Sequence, residues 1–204
     1  MLYAYQYSSD GISWTQGTLP YTLLTRGCAA RSNMLVVFPT NGQPYVTTDG
    51  TTWTAYGSTF SGTVYRGIWD GTRFLFPTNN TGATGLFFST NIDATTWSSI
   101  DVGSGGFFIA FDGSSTYIVG NAAQGTSGRI CTSDPTVATN WTSITFPSNG
   151  IWIDAAYGNG IWVAIRAGVG DYATSTNGTT WTARTLPSST STLLQFQMND
   201  HCSF

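Results

Sequence analysis

Five times along this chain a Trp closes the same short phrase. The copies read Ser8-Ser9-Asp10-Gly11-Ile12-Ser13-Trp14 and Thr47-Thr48-Asp49-Gly50-Thr51-Thr52-Trp53, then Ser89-Thr90-Asn91 running on to Trp97. Thr132-Ser133-Asp134 runs on to Trp141, and Ser175-Thr176-Asn177-Gly178-Thr179-Thr180-Trp181 is the last. Tryptophans 14, 53, 97, 141 and 181 are therefore 39, 44, 44 and 40 residues apart. A period near 40 residues marks a repeat architecture, and in strand-forming sequence it predicts the blades of a β-propeller.

The order of signals within each repeat is constant. A short polar strand follows the Trp, and then comes an apolar strand such as Val64-Tyr65-Arg66-Gly67-Ile68-Trp69 or Phe107-Phe108-Ile109-Ala110-Phe111. A turn dipeptide follows (Asp70-Gly71, Asp112-Gly113 or Asn159-Gly160), of the kind two-residue hairpins require. A second apolar strand, a variable loop and a third strand lead into the next Trp phrase. Four antiparallel strands per repeat make a blade. The variable loops 40–43, 79–85, 121–128 and 167–170 share one phase of the repeat, so they are expected on one side of the ring.

The two ends complement each other. The 23 residues after Trp181 and the 14 up to Trp14, joined head to tail, make 37, close to one further repeat. Residues 193–200 read as an inner hairpin strand, and Tyr5-Gln6-Tyr7 reads as the later strand that enters a Trp phrase. The sequence thus predicts an all-β, five-bladed propeller over residues 1–204, a single domain closed by pairing of N- and C-terminal strands. The rival reading is a fragment cut from a longer propeller.

Composition narrows the function classes. All seven basic residues are Arg and all ten acidic residues are Asp, so the helix formers Lys and Glu are absent. Only 8% of residues are charged. A surface so poor in charge tends to associate, which points to life inside an assembly. A net charge of −3 without a basic run argues against nucleic acid. No apolar run approaches the roughly 18 residues needed to cross a bilayer, and no signal peptide is visible. Cys28, Cys131 and Cys202 fit no metal spacing and read as small buried hydrophobes. Cys28 and Cys202 belong to repeats that ring closure makes neighbours, which leaves a bridge between them open. No cofactor or metal is expected.

The Trp phrase resembles the Asp-box, the turn motif of sialidase-like (BNR) propellers. Here the tight copies have one residue fewer between Asp and Trp, two copies are lengthened, and two carry Asn for Asp. The resemblance implies that Asp10, Asp49, Asn91, Asp134 and Asn177 tie the turn's own backbone N–H groups. It also implies that Trp14, Trp53, Trp97, Trp141 and Trp181 wedge between adjacent blades. The enzymes of that family use an Arg triad, an Asp acid and a Tyr nucleophile activated by Glu. This chain has no Glu, and its sole His, His201, lies in a C-terminal stretch that reads as strand. Catalysis is therefore not expected.

Binding remains. Trp69 and Trp162 align with apolar positions of other repeats and read as core. Trp152 aligns with Val64 and is expected to be more exposed, as a stacking platform for sugar rings. Arg66, Asp154 and Gln195 fall at one equivalent position on strands near the central channel; a polar core pair is the competing account. Small propellers of this Thr/Ser/Asn/Gly-rich, Lys-poor texture are similar to bacteriophage virion proteins. That resemblance implies a non-catalytic tail, fibre or head-decoration component, assembled in the host cytoplasm and contacting host glycans or other virion proteins through its loops. The alternative is a cellular carbohydrate-binding lectin.

Overall fold

In the computed structural model, residues 4–80, 85–120, 125–167 and 170–186 are described. The chain is an all-β propeller. Strands β1 (Ala4–Tyr7) and β2 (Thr15–Thr18) pair with each other in a two-stranded sheet. Blade 1 is β3 (Thr25–Arg31), β4 (Met34–Pro39), β5 (Tyr45–Thr47) and β6 (Thr54–Ala55). Blade 2 is β7 (Ile68–Trp69), β8 (Phe74–Pro77), β9 (Leu86–Ser89) and β10 (Trp97–Ile100). Blade 3 is β11 (Ile109–Phe111), β12 (Tyr117–Gly120), β13 (Gly125–Cys131) and β14 (Trp141–Gly150). Blade 4 is β15 (Trp152–Gly158), β16 (Ile161–Arg166), β17 (Asp171–Ser175) and β18 (Thr182–Thr185). Each blade is an antiparallel meander in chain order, with the first strand innermost. Contacts of β3 with β7, β7 with β11 and β11 with β15 bring these inner strands side by side.

Where the sequence predicts five blades, four are complete among the described residues and β1–β2 stands as a half-sheet beside blade 1. The strand expected to complete it, 193–200, lies outside the described residues, as do Gln195, His201 and Cys202. Second strands are buried on both faces because a neighbouring blade covers each side, and so β8 and β12 read as continuous apolar runs. Outer strands need no such cover, and β18 (TART) is exposed throughout.

The turn before each Trp forms from its own side chains. Asp10 Oδ1 accepts the N–H groups of Ile12 and Ser13 at 2.8 Å each, and Asp49 Oδ1 accepts those of Thr51 and Thr52 at 2.8 and 2.7 Å. Asn177 Oδ1 takes Thr179 and Thr180 at 3.0 and 2.9 Å, so an amide oxygen serves as well as a carboxylate. Asn91 accepts Thr95 and Thr96 across its longer turn, and Asp134 accepts Thr136. Gly50 and Gly178 sit at φ 72° and 74°. A Cβ would be strained there. In the lengthened turns the insertion stays outside the ladder: Trp97 remains opposite Ser89 and Trp141 opposite Cys131.

The indoles of blades 2, 3 and 4 then reach the preceding blade. Trp97 meets Phe38 of blade 1 edge-on at 5.1 Å, and Trp181 meets Phe146 of blade 3 at 5.0 Å. Trp141 packs in one cluster with Leu75, Leu86 and Phe88 of blade 2. Indole N–H groups of Trp97, Trp141 and Trp181 donate to Ala94, Pro135 and Gly178 carbonyls at 2.7, 2.9 and 2.9 Å. Trp53 differs. Its Gly50 carbonyl accepts the Tyr5 hydroxyl at 2.6 Å instead, which ties β1 to blade 1 and leaves the buried Trp53 Nε1 without a hydrogen bond. Trp14 departs from the expected wedge and is 59% exposed.

Three further expectations meet the structure here. Asn159-Gly160, with φ 52° and 77°, makes the two-residue turn between Gly158 and Ile161 as its sequence predicts. Asp70 and Asp112, by contrast, open longer loops, in which the carboxylate gathers the N–H groups of Thr72 and Arg73, or of Ser114, Ser115 and Thr116. Cys131 is buried as expected, but Cys28 is exposed: it stands opposite Val37, on the face of blade 1 that turns to the half-sheet. Among the described residues no helix is long and apolar enough to cross a membrane.

Trp181→Ala is expected to destabilise the protein by about 3–5 kcal/mol, as emptying a buried aromatic site does. Chemical denaturation of the variant checks it. The turn carboxylates set the acid limit. The Ile12 N–H, then those of Ser13 and the Ser8 hydroxyl, lower Asp10 to about 2, and the Thr52 and Thr51 N–H groups hold Asp49 well below the usual range. Folded values below the unfolded one contribute stability that is complete above about pH 4 and lost as pH falls toward 2. Melting temperature should hold between pH 7 and 5 and fall below 4, with a shallower fall in Asp49→Asn.

Candidate functional site

The inner strands carry a shared irregularity. Register shifts by one residue between Thr25 and Gly27 in blade 1 and between Trp152 and Asp154 in blade 4. Val64 stands opposite Thr78 and Ile68 opposite Leu75, so four steps on the inner segment of blade 2 face three on its neighbour. Bulges bend a strand and re-aim its side chains. Here they fall at the ends of the inner strands where the loop 40–43 also emerges: Thr40 N–H bonds the Leu24 carbonyl at 2.7 Å, and Ala167 N–H bonds that of Ile151 at 2.7 Å. The flanks of the other variable loops lie at this end, and those loops contain residues outside the described set; of the expected loop 121–128, the last four residues belong instead to β13.

The register supports the sequence alignment. Trp69, Phe111 and Tyr157 stand opposite Phe74, Tyr117 and Trp162, and three residues before them come Arg66, Phe108 and Asp154. Phe108 turns into the core between blades 3 and 4. Arg66 and Asp154 instead reach toward each other past blade 3, Nη1 to Oδ2 at 3.9 Å. The Asp154 side chain is 10% exposed and that of Arg66 41%, so the carboxylate is the desolvated partner. Its other oxygen accepts the Ala155 N–H at 2.9 Å. Arg66 thus has a positional role at the channel, and it offsets a charge that burial alone would penalise.

Beside this pair lies an aromatic and basic rim. Tyr65 and Phe107 meet edge-on at 4.8 Å, both half-buried. Burial pushes the Tyr65 phenol up, and nearby Arg26 pulls it back down. Arg26 is exposed, and Leu23, Leu24 and Ile151 add exposed apolar surface at the same end. The mouth therefore combines two guanidiniums, one buried carboxylate, an aromatic pair and apolar edges. That suits it to hold a polar partner by contact.

Trp152 does not belong to this surface. It is 1% exposed, stacks on Phe146 at 4.6 Å and donates its indole N–H to the Ser148 carbonyl at 3.3 Å. Val64, with which it aligns, is itself buried, so the position is core and Trp152 fills it. Trp162 is core, and Trp69 is half-buried under the Arg31 guanidinium at 5.2 Å. Gln195 lies outside the described residues. Sequence reasoning misses Arg26, Tyr65 and Phe107; the signal is the break in apolar alternation at the start of each inner strand.

The opposite end of the propeller is knitted between blades 2 and 3. Arg73 Nη1 lies 3.0 Å from Asp134 Oδ1, Arg73 Nε 3.6 Å from Asp70 Oδ2, and the Tyr117 hydroxyl donates to Asp70 at 3.1 Å. Burial and the Asp70 charge push the Tyr117 phenol well above its ordinary range. These groups are spent on one another and on the turns. Among the described residues no three His, Cys, Asp or Glu side chains converge as a metal site.

No family model and no curated protein matches the chain. Solved structures do match, and they share a propeller fold. Streptogramin B lyase aligns with a TM-score of 0.66 at 14% identity, over 86% of this chain and 59% of its own. YCF48 bound to D1 peptide aligns at 0.62 and 16%, over 86% and 58%. The Niastella koreensis GH74 enzyme aligns at 0.64 and 20%, over 89% and 34%. The chain spans less than two thirds of each of these proteins, and at such identities the likeness is one of fold alone.

Asp154→Ala is expected to lower stability by about 1–3 kcal/mol, since it leaves the Ala155 N–H unpaired in a buried setting. Arg26→Ala, at an exposed position, should change it by no more than about 0.5 kcal/mol. Urea denaturation of the pair checks whether the mouth has a fixed floor and a free rim.

Proposed function

We propose that this chain is a non-catalytic binding propeller, a structural or attachment component of a bacteriophage particle such as a tail, fibre or head-decoration protein. The observation that carries the binding reading is the channel mouth: Arg26, Tyr65, Arg66 and Phe107 gather at the end from which the variable loops emerge. Rigid scaffolds carry recognition on such surfaces. The particle assignment rests on the charge-poor, Lys-free, Thr/Ser/Asn/Gly-rich composition and on the resemblance of the Trp phrases to Asp-box turns. Among proteins of shared fold, one was solved with a peptide and others are named as enzymes, so the fold selects neither role.

The ring we propose has five blades, with residues 193–200 adding an inner strand to the blade that β1–β2 begins. Supporting this, β1 pairs only with β2 among the described residues, and Val163 on the outer face of blade 4 is half-buried where its register equivalent Ile118 is fully buried. Deleting residues 1–7 should expose a sheet edge and cause aggregation. A truncated protein that stayed monomeric with unchanged melting would contradict closure.

Immunolabelled electron microscopy of native particles tests the role, with label expected on the particle surface. Arg26→Ala and Tyr65→Ala should weaken its attachment at least tenfold while the fold persists. Measurable glycosidase turnover, or protein found only free in a bacterial periplasm, would overturn the reading. The second reading, a cellular carbohydrate-binding lectin, is favoured by an uncharged aromatic cleft between blades 1 and 2.

A further inference from the structure

We infer that this cleft is a binding site for a neutral pyranose sugar. It is an open cleft of about 460 Å³ between the linker that leaves β6 and the outer half of blade 2, lined by Phe60, Phe87, Trp97, Ser61, Ser98 and Ser99 among others. That volume suits a mono- or disaccharide, since small-ligand sites run from about 300 to 1,000 Å³. Among the described residues no charged side chain lines it.

The corresponding place between blades 2 and 3 is already filled by the protein's own chemistry. Arg129 stands opposite Ser143 in the ladder, just as Phe87 stands opposite Ser99. Arg129 donates to the Ser143 hydroxyl at 2.6 Å and to the Gly103 carbonyl at 2.9 Å, and so bridges from blade 3 to the linker of the preceding blade. In blade 4 the pair is Ala173 and Ala183, both small. Blade 1 places Tyr45 opposite Ala55, and Tyr45 is packed on Tyr21 at 4.6 Å. Of these four places, the one in blade 2 combines an aromatic residue with a facing hydroxyl. There, no guanidinium closes the gap that Arg129 closes one blade further on.

Trp97, half-buried, is the aromatic residue that shows surface to the cleft, and the buried Phe87 and Phe60 back it. Phe87 and Trp97 lie nearly parallel, 14° apart with centroids at 5.7 Å, and Phe60 meets Phe87 at 5.3 Å. The Trp97 indole is fixed by its bond to the Ala94 carbonyl, so this platform is preorganised. The apolar C–H face of a pyranose packs on the open part of Trp97, while its hydroxyls exchange hydrogen bonds with Ser61, Ser98 and Ser99. Without a cation or an anion in the lining, an acidic or amino sugar would lose hydration with no charge to replace it, and the site selects neutral ones. Trp97 therefore has two roles: one edge holds blade 1 to blade 2, and the open side faces the cleft. This inference rests on the binding-module reading but not on the channel mouth.

Saturation-transfer difference NMR on the full chain, with glucose, galactose, mannose and N-acetylglucosamine as separate probes, tests it. At least one neutral sugar is expected to bind with a dissociation constant on the order of 1 mM. Ser99→Ala should weaken it about fivefold, the effect of one lost hydrogen bond. Ser61→Tyr, on an exposed loop, should fill the cleft and abolish binding while the melting temperature holds. No transfer from any of the four sugars at 20-fold that concentration, or binding undiminished in a folded Ser61→Tyr variant, would overturn the site. Sugar binding on a protein that never joins particles would uphold the cleft and refute the virion role.

Discussion

Everything in this molecule depends on a large indole placed at the same ladder position of each blade and turned onto the blade before it. The blades are four-stranded meanders whose second strands are apolar on both faces, so none is stable with a bare side in water. Trp97 against Phe38 and Trp181 against Phe146 close those faces. The Asp or Asn turn fixes where the indole begins, because its side-chain oxygen gathers two backbone N–H groups before the chain enters the outer strand. Local turn chemistry and long-range packing are thus one device, repeated. Its variation is informative: Tyr5 takes the carbonyl at Gly50 to which the equivalent indole of blade 4 bonds, and so carries the half-sheet onto blade 1.

Much of this is legible in the sequence, because the period of the Trp phrases and the order of apolar strands translate directly into blade order and register. The alignment that puts Trp69, Phe111 and Tyr157 together, and hence Arg66 with Asp154, is reproduced by the ladder. What the sequence does not yield is burial. Trp152 reads as a platform because it is aromatic and its counterpart is a modest Val, yet both sit in the core. Cys28 reads as a core residue because it is small, yet it lies on the face that turns to the half-sheet. Repeats fix which positions are equivalent; how wide the space is at each depends on neighbours several repeats away in sequence.

The candidate sites are less legible for the same reason. Arg66 and Asp154 stand out in the repeat alignment, but Arg26 and Tyr65 join them only because bulges re-aim the inner strands of blades 1 and 2, and Phe107 only through its contact with Tyr65. The cleft between blades 1 and 2 emerges only when Phe87 and Arg129 are seen to occupy one ladder position. A scaffold with so few charges makes each Arg conspicuous: Arg73 and Arg129 tie blades together, Arg66 meets a buried carboxylate, and Arg26 stands at the rim. The division places structural cations between blades and leaves the loop end to present its surface.

A double-mutant cycle between Phe38 and Trp97 tests the inter-blade packing most directly, using Phe38→Leu and Trp97→Phe so that the core stays filled. If the indole holds blade 2 to blade 1, the two changes are coupled by about 0.5–1.5 kcal/mol. Additivity within about 0.3 kcal/mol would mean that the blades are held by something else.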